Sequence, residues 1–143
     1  MKSDESVQVY QSGFNCSQAV FVPFAKAHGL SEEIGSRIGS SFGGGMGKMQ
    51  ETCGAVTGAF MAIGLKHGFT KSDDHAQKEI VLALTKDFIA KFKAEFGTLL
   101  CKELLGCDLN TAEGQKFHKD HNQRDLICAK CVKFAASVVE GMS

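Results

Sequence analysis

The chain has 143 residues, 43% hydrophobic and 22% charged, values of a globular protein with one core; disordered and fibrous classes are excluded. Sixteen Lys and Arg balance sixteen Asp and Glu, and no basic stripe with interleaved aromatics occurs, so nucleic acid is not an expected partner. No window reaches the roughly 18 to 20 apolar residues of a membrane span, and the polar start MKSDESVQVY lacks the apolar core of a secretory signal. The reading is one cytoplasmic domain over 1–143, without a membrane partner, whose six cysteines sit in a reducing compartment. Cysteines there point to redox or metal chemistry before structural disulfides.

Helix is the dominant signal, since one proline interrupts the chain and no alternating β-branched run occurs. Residues 6–28 carry apolar positions at three- and four-residue steps, and Pro23 either kinks this helix or leaves it to begin at Asn15 as an N-cap. Ser31 caps a second, short helix in SEEIGSRIGS. The run Gly43, Gly44, Gly45 and Gly47 has too much backbone freedom for a helix and predicts a loop. A central helix over about 50–66 follows, with Ala55, Gly58, Ala59 and Ala62 allowing another backbone to come close. The helix over 77–96 places Ile80, Leu84, Phe88, Phe92 and Phe96 on one face. A short helix in TLLCKELLG, a polar segment in which TAEGQKF carries one or two helical turns, and a last helix over 125–141 complete an all-α bundle of five or six helices.

As a phosphate loop the glycine run fails twice: Phe42 stands where a Walker A motif needs its first glycine, and Met49 follows Lys48 where Ser or Thr belongs. The dinucleotide fingerprint fails as well, because no βαβ unit surrounds it. The cysteines carry more. Cys53 lies where the glycine loop enters a helix, a position that lowers a thiol's pKa, which makes it the first candidate for a reactive thiolate. Cys128 and Cys131 form a C-x-x-C pair on one helix face, suited to a disulfide or to two ligands of one metal. With Cys101, Cys107, His118 and His121 there are enough soft ligands for zinc, although the spacings fit no standard zinc module and HKDH reads first as a solvated loop. An iron–sulfur cluster would have to draw single cysteines from different helices. His67 reads as a helix C-terminal residue and His75 as a surface residue of a first turn.

In order, NCSQAV, SFGGGMGKMQETCGAVTGAFMAIGL, KFKAEFGTLLCKELLGCDL and CAKCVKFAA resemble the C_GCAxxG_C_C family over about residues 15–136. The resemblance implies a redox role with Cys16, Cys53, Cys101 and Cys128 as signature cysteines, and leaves Cys107 and Cys131 additional. A related domain in split-Soret cytochromes is associated with an iron–sulfur centre and haem, but covalent haem needs Cys-x-x-Cys-His and Val132 follows CAKC here. The expectation is therefore that cysteines from separate helices converge beside the glycine loop, with Cys16 and Cys53 as the reacting pair. Cys16, Cys53, Cys101 and Cys128 would ligate an iron–sulfur cluster or cycle as thiols, with Gly43, Gly44, Gly45 and Gly47 around the cofactor and a redox protein as partner. Zinc held by Cys101, Cys107, Cys128 and Cys131, or a homo-oligomerising helical protein with buried cysteines, are the alternatives.

Overall fold

The first apolar segment divides in two instead of kinking at Pro23. In the computed structural model, which describes residues 1–142, α1 (Lys2–Gln11) stops at Ser12, Gly13 turns the chain at φ +111°, and α2 (Cys16–Ala27) begins at Asn15. Asn15 Oδ1 accepts from the Gln18 amide at 2.8 Å and Gln18 Oε1 accepts from the Asn15 amide at 3.0 Å, a reciprocal cap that satisfies two otherwise orphaned donors. Pro23 remains inside α2, where its fixed φ suits the helix and only one backbone bond is lost.

Ser31 caps α3 (Glu32–Gly39) through its Oγ, 3.1 Å from the Ile34 amide, and a 3-10 turn over Ser40–Phe42 leads into the glycine loop. The central helix, α4 (Gly54–His67), ends at Gly68. Asp74 caps the 22-residue α5 (His75–Phe96), and Gly97 closes it in the left-handed conformation. A short α6 (Cys101–Leu105) and α7 (Ala112–Asp120) follow, then a π-helical turn over Arg124–Cys128 that runs into α8 (Ala129–Glu140). Eight α-helices are present among the described residues, not five or six. The first segment splits, and Thr111 nucleates a full helix in a stretch too polar to signal one. No β-strand occurs among the described residues; one isolated antiparallel bridge joins Thr52 to Leu100.

Ala19, Val20 and Ala25 of α2 and Ala55, Val56 and Ala59 of α4 are fully buried at the centre of the core. The two helices close up because Gly58 has no side chain: a Cβ there would stand 2.7 Å from the Ser17 carbonyl oxygen and 3.0 Å from Val20 Cβ. On the far side of α4, Phe60, Phe88, Phe92, Phe96 and Phe134 pack edge-to-face, tilted or stacked at centroid separations of 4.7–6.2 Å and fasten α5 to α4 and α8. The expected apolar face of α5 holds at Phe88 and Phe92 but not at Ile80, which is 47% exposed, because the first half of this helix extends beyond the core.

Gly58 and Gly64 lie on the same helix, and nothing stands within 4 Å of a Cβ at Gly64. Gly58→Ala is expected to destabilise by about 1–3 kcal/mol through overpacking, and Gly64→Ala to stabilise by about 0.5–1 kcal/mol through a less flexible unfolded chain. Urea unfolding of both variants checks this; equal effects would show that α2 and α4 are not in close backbone contact.

Candidate functional site

The site is assembled at the places where helices begin. Cys16 is the first residue of α2, Cys53 the N-cap of α4, Cys101 the first residue of α6, and Cys128 stands where the π turn passes into α8. Together with Cys131, one turn further along α8, they line a single cavity of about 140 Å³. Leu104, Leu105, Leu109 and Ile127 supply its apolar wall. Cys53 and Cys101 are brought side by side by backbone pairing: the Cys53 amide donates to the Leu99 carbonyl at 2.7 Å and the Cys101 amide to the Glu51 carbonyl at 2.7 Å, around the Thr52–Leu100 bridge.

Within the cavity the protonation of four thiols is linked two by two, Cys16 with Cys128 and Cys53 with Cys131. In the first pair Cys16 keeps its proton, its pKa held well above the ordinary thiol value by donation to Cys128 and by burial. Cys128 is pulled down by that same hydrogen bond, then by the Tyr10 hydroxyl and the Arg124 guanidinium. Tyr10, buried and held protonated by that burial, lies under Arg124, whose Cζ is 3.8 Å from the ring centroid. Arg124 Nη2 also donates to the Tyr10 carbonyl at 2.6 Å and the Phe14 carbonyl at 3.2 Å, tying the end of α1 to the π turn.

In the second pair Cys131 is the proton holder, raised by its bond to Cys53 and by burial. Cys53 is lowered first by Cys131, and by the amides of Ala55 and Val56 in the open first turn of α4. Its sulfur makes no full capping hydrogen bond, so these amides act as partial charges beside it. Each pair thus releases one proton readily and holds the second, the property of a nucleophile with its resolving thiol. Cys101 belongs to neither pair: burial, together with the neighbouring Cys53 and Cys128, pushes its pKa up to about 12.

The glycine loop forms one rim. Gly44, Gly45, Met46, Gly47 and Lys48 all have φ between +61° and +72°, a left-handed coil closed by bonds from the Gln50 amide to the Gly44 carbonyl (3.0 Å) and from the Glu51 amide to the Gly45 carbonyl (2.9 Å). Of the four glycines expected around a cofactor, Gly44 and Gly45 line the cavity, Gly43 packs on Asn15 and Gly47 faces open space. Gly45 gives clearance to Cys101, not to Cys53: a Cβ there would stand 2.8 Å from Cys101 Cβ. Clearance near Cys53 comes from Gly54, where a Cβ would stand 3.0 Å from Cys16 Cβ.

Two buried glutamines hold the remaining segments. Gln50 joins the loop to Cys107 and Leu109 (2.7 and 2.8 Å), while Gln123 donates to the Leu105 carbonyl at 2.7 Å and accepts from His118 at 2.9 Å and from Cys107 at 3.4 Å. Cys107 therefore lies outside the cysteine cavity, beside Met49, Gln50 and Lys102, and His121 is exposed and stacked on Phe117. His67 lies at the end of α4 and His75 is exposed at the start of α5, both away from the cavity. Among the described residues no group of three or more His, Cys, Asp or Glu side chains is arranged to hold one metal ion. The side chains of Cys16, Cys53, Cys101 and Cys128 share the cavity without presenting a ligand set as they stand. Cys131, which the family pattern leaves as an extra, is here the partner of Cys53; its C-x-x-C spacing to Cys128 was the available signal. Tyr10 and Arg124 had none, because their role exists only through contact between α1 and the π turn.

Tyr10→Phe removes the hydroxyl that lowers the Cys128 pKa and leaves the ring under Arg124. Alkylation of Cys128 near neutral pH, read peptide by peptide by mass spectrometry, is expected to slow on the order of tenfold, the worth of one hydrogen bond to a charged sulfur. An unchanged rate would remove Tyr10 from the site.

Comparison with the curated proteins and with the solved structures finds no match. A family model does match, over residues 14–142, a span that contains all six cysteines, the glycine loop and Arg124 and leaves out Tyr10. The chain belongs to the C_GCAxxG_C_C family, described as "Putative redox-active protein".

Proposed function

We infer that the protein is a thiol–disulfide redox protein whose cavity holds two dithiol couples, Cys16–Cys128 and Cys53–Cys131. The observation that supports this reading is that four thiols from three helices line one cavity, their protonation linked two by two with one sulfur of each pair favoured as thiolate and one as thiol. Leu104, Leu105, Leu109 and Ile127 give the cavity an apolar wall, and the α2 and α4 N-termini favour negative charge at the cavity.

The co-reactant is a disulfide, either of a small thiol or of a partner protein. The thiolate of a couple attacks one sulfur of that disulfide, forming a mixed disulfide and releasing the other half as a thiolate. The second cysteine passes its proton to that leaving thiolate and attacks the first cysteine's sulfur, closing the internal disulfide and releasing the remaining half. Two electrons pass from the couple to the co-reactant, and the reverse sequence reduces the couple again. Cys101, with its raised pKa, takes no part as a nucleophile.

Equilibration with glutathione buffers of increasing oxidation, followed by thiol counting and peptide mapping, tests this reading. The six free thiols are expected to fall to two, Cys101 and Cys107, counted after unfolding, with Cys16–Cys128 and Cys53–Cys131 as the bridges. Cys53→Ser should abolish one bridge and spare the other. Six thiols surviving every buffer would overturn the proposal, as would anaerobically purified protein carrying stoichiometric iron and sulfide, or zinc, on these cysteines.

A further inference from the structure

The two couples differ in access and lie against each other. Cys16 and Cys128 are half-buried, whereas Cys53 is 6% exposed and Cys131 1% exposed. With so little surface on Cys53 and Cys131, a peptide disulfide reaches Cys16 and Cys128 first. Yet Cys53 and Cys16 open neighbouring helices, and the missing side chain of Gly54 lets the α4 start come against Cys16. Cys128 and Cys131, one turn apart on the same helix, belong to different couples, so α8 spans both.

Building on the dithiol reading above, we propose that the couples work in series, Cys16–Cys128 exchanging with an external peptide disulfide and Cys53–Cys131 exchanging only with Cys16–Cys128. In the oxidising direction the outer couple first becomes a disulfide at the expense of the external one. The Cys53 thiolate then attacks Cys16 Sγ, forming a Cys53–Cys16 disulfide and breaking Cys16–Cys128. Cys128 leaves as a thiolate beside the Tyr10 hydroxyl and the positive charge of Arg124, which make it the better leaving group of its pair. Cys131 next attacks Cys53 Sγ and expels Cys16, which takes the proton that Cys131 gives up. The net change is one inner dithiol oxidised and one outer disulfide reduced, with two electrons moved and one thiolate present before and after. A second external disulfide reoxidises the outer couple, so the protein stores two oxidising equivalents behind one port.

Glutathione disulfide is the probe. In the wild-type chain both bridges are expected, the outer forming first. In the Cys16→Ser/Cys128→Ser double variant the inner bridge should form at least tenfold more slowly. In Cys131→Ser, quenched by acid and mapped, a Cys16–Cys53 bridge should accumulate. Inner-bridge formation at the wild-type rate in the double variant, or Cys53 found joined to glutathione in Cys131→Ser, would overturn the series arrangement while leaving the dithiol reading in place. Failure of the wild-type chain to form either bridge would overturn both.

Discussion

The close approach of α2 to α4 is the constraint on which the rest of the molecule depends. Gly58 lets the backbones meet at Ser17, and Gly54 extends the contact to the helix starts, so the first residue of α2 and the N-cap of α4 stand together. Interior packing leaves no slack at such a contact, and a single methyl group would push the helices apart. Because Cys16 and Cys53 occupy those two positions, the packing that builds the core also builds the site. The remaining walls are added by short-range devices: the Thr52–Leu100 bridge fixes Cys101 beside Cys53, and the glycine loop closes over Cys101 where only Gly45 fits.

Burying several thiols at one point raises an electrostatic problem, since each thiolate disfavours the next and desolvation disfavours all of them. The structure answers it by alternation. Cys16 and Cys131 are held toward the thiol, and Cys128 and Cys53 toward the thiolate. The two thiolate-favoured sulfurs are stabilised by different means, Cys53 by backbone amides of a helix start and Cys128 by a phenol and a guanidinium recruited from elsewhere in the chain. The π turn at Arg124–Cys128 belongs to this solution: it puts Arg124 over Tyr10 and leaves Cys128 half-buried, while the regular helix that follows carries Cys131 to the interior.

Much of the architecture could be read without coordinates because local rules governed it. Asn15, Ser31 and Asp74 mark helix starts and Gly68, Gly97 and Gly106 mark helix ends, since each solves the problem of unpaired groups at a terminus within a few residues of itself. The all-helical class, the glycine loop before a central helix and membership in a cysteine-defined family rest on signals of that kind. The number of helices was less legible, because a two-residue turn at Ser12 and Gly13 and a polar helix over Ala112–Asp120 leave little trace in apolar periodicity.

The sequence by itself determined that Cys53 lies where the glycine loop enters a helix and that Cys128 and Cys131 share one C-x-x-C turn, because helix capping and spacing are local. Only the tertiary structure decided how they pair. Cys128 and Cys131 are neighbours in sequence yet face different partners, Cys131 enters the cavity while Cys107 is held outside by Gln123, and Tyr10 reaches Cys128 from a helix more than a hundred residues earlier. The physical reason is that thiol pairing depends on side-chain approach across helices, which is fixed by where Gly54 and Gly58 permit contact and by where Arg124 ties α1 down.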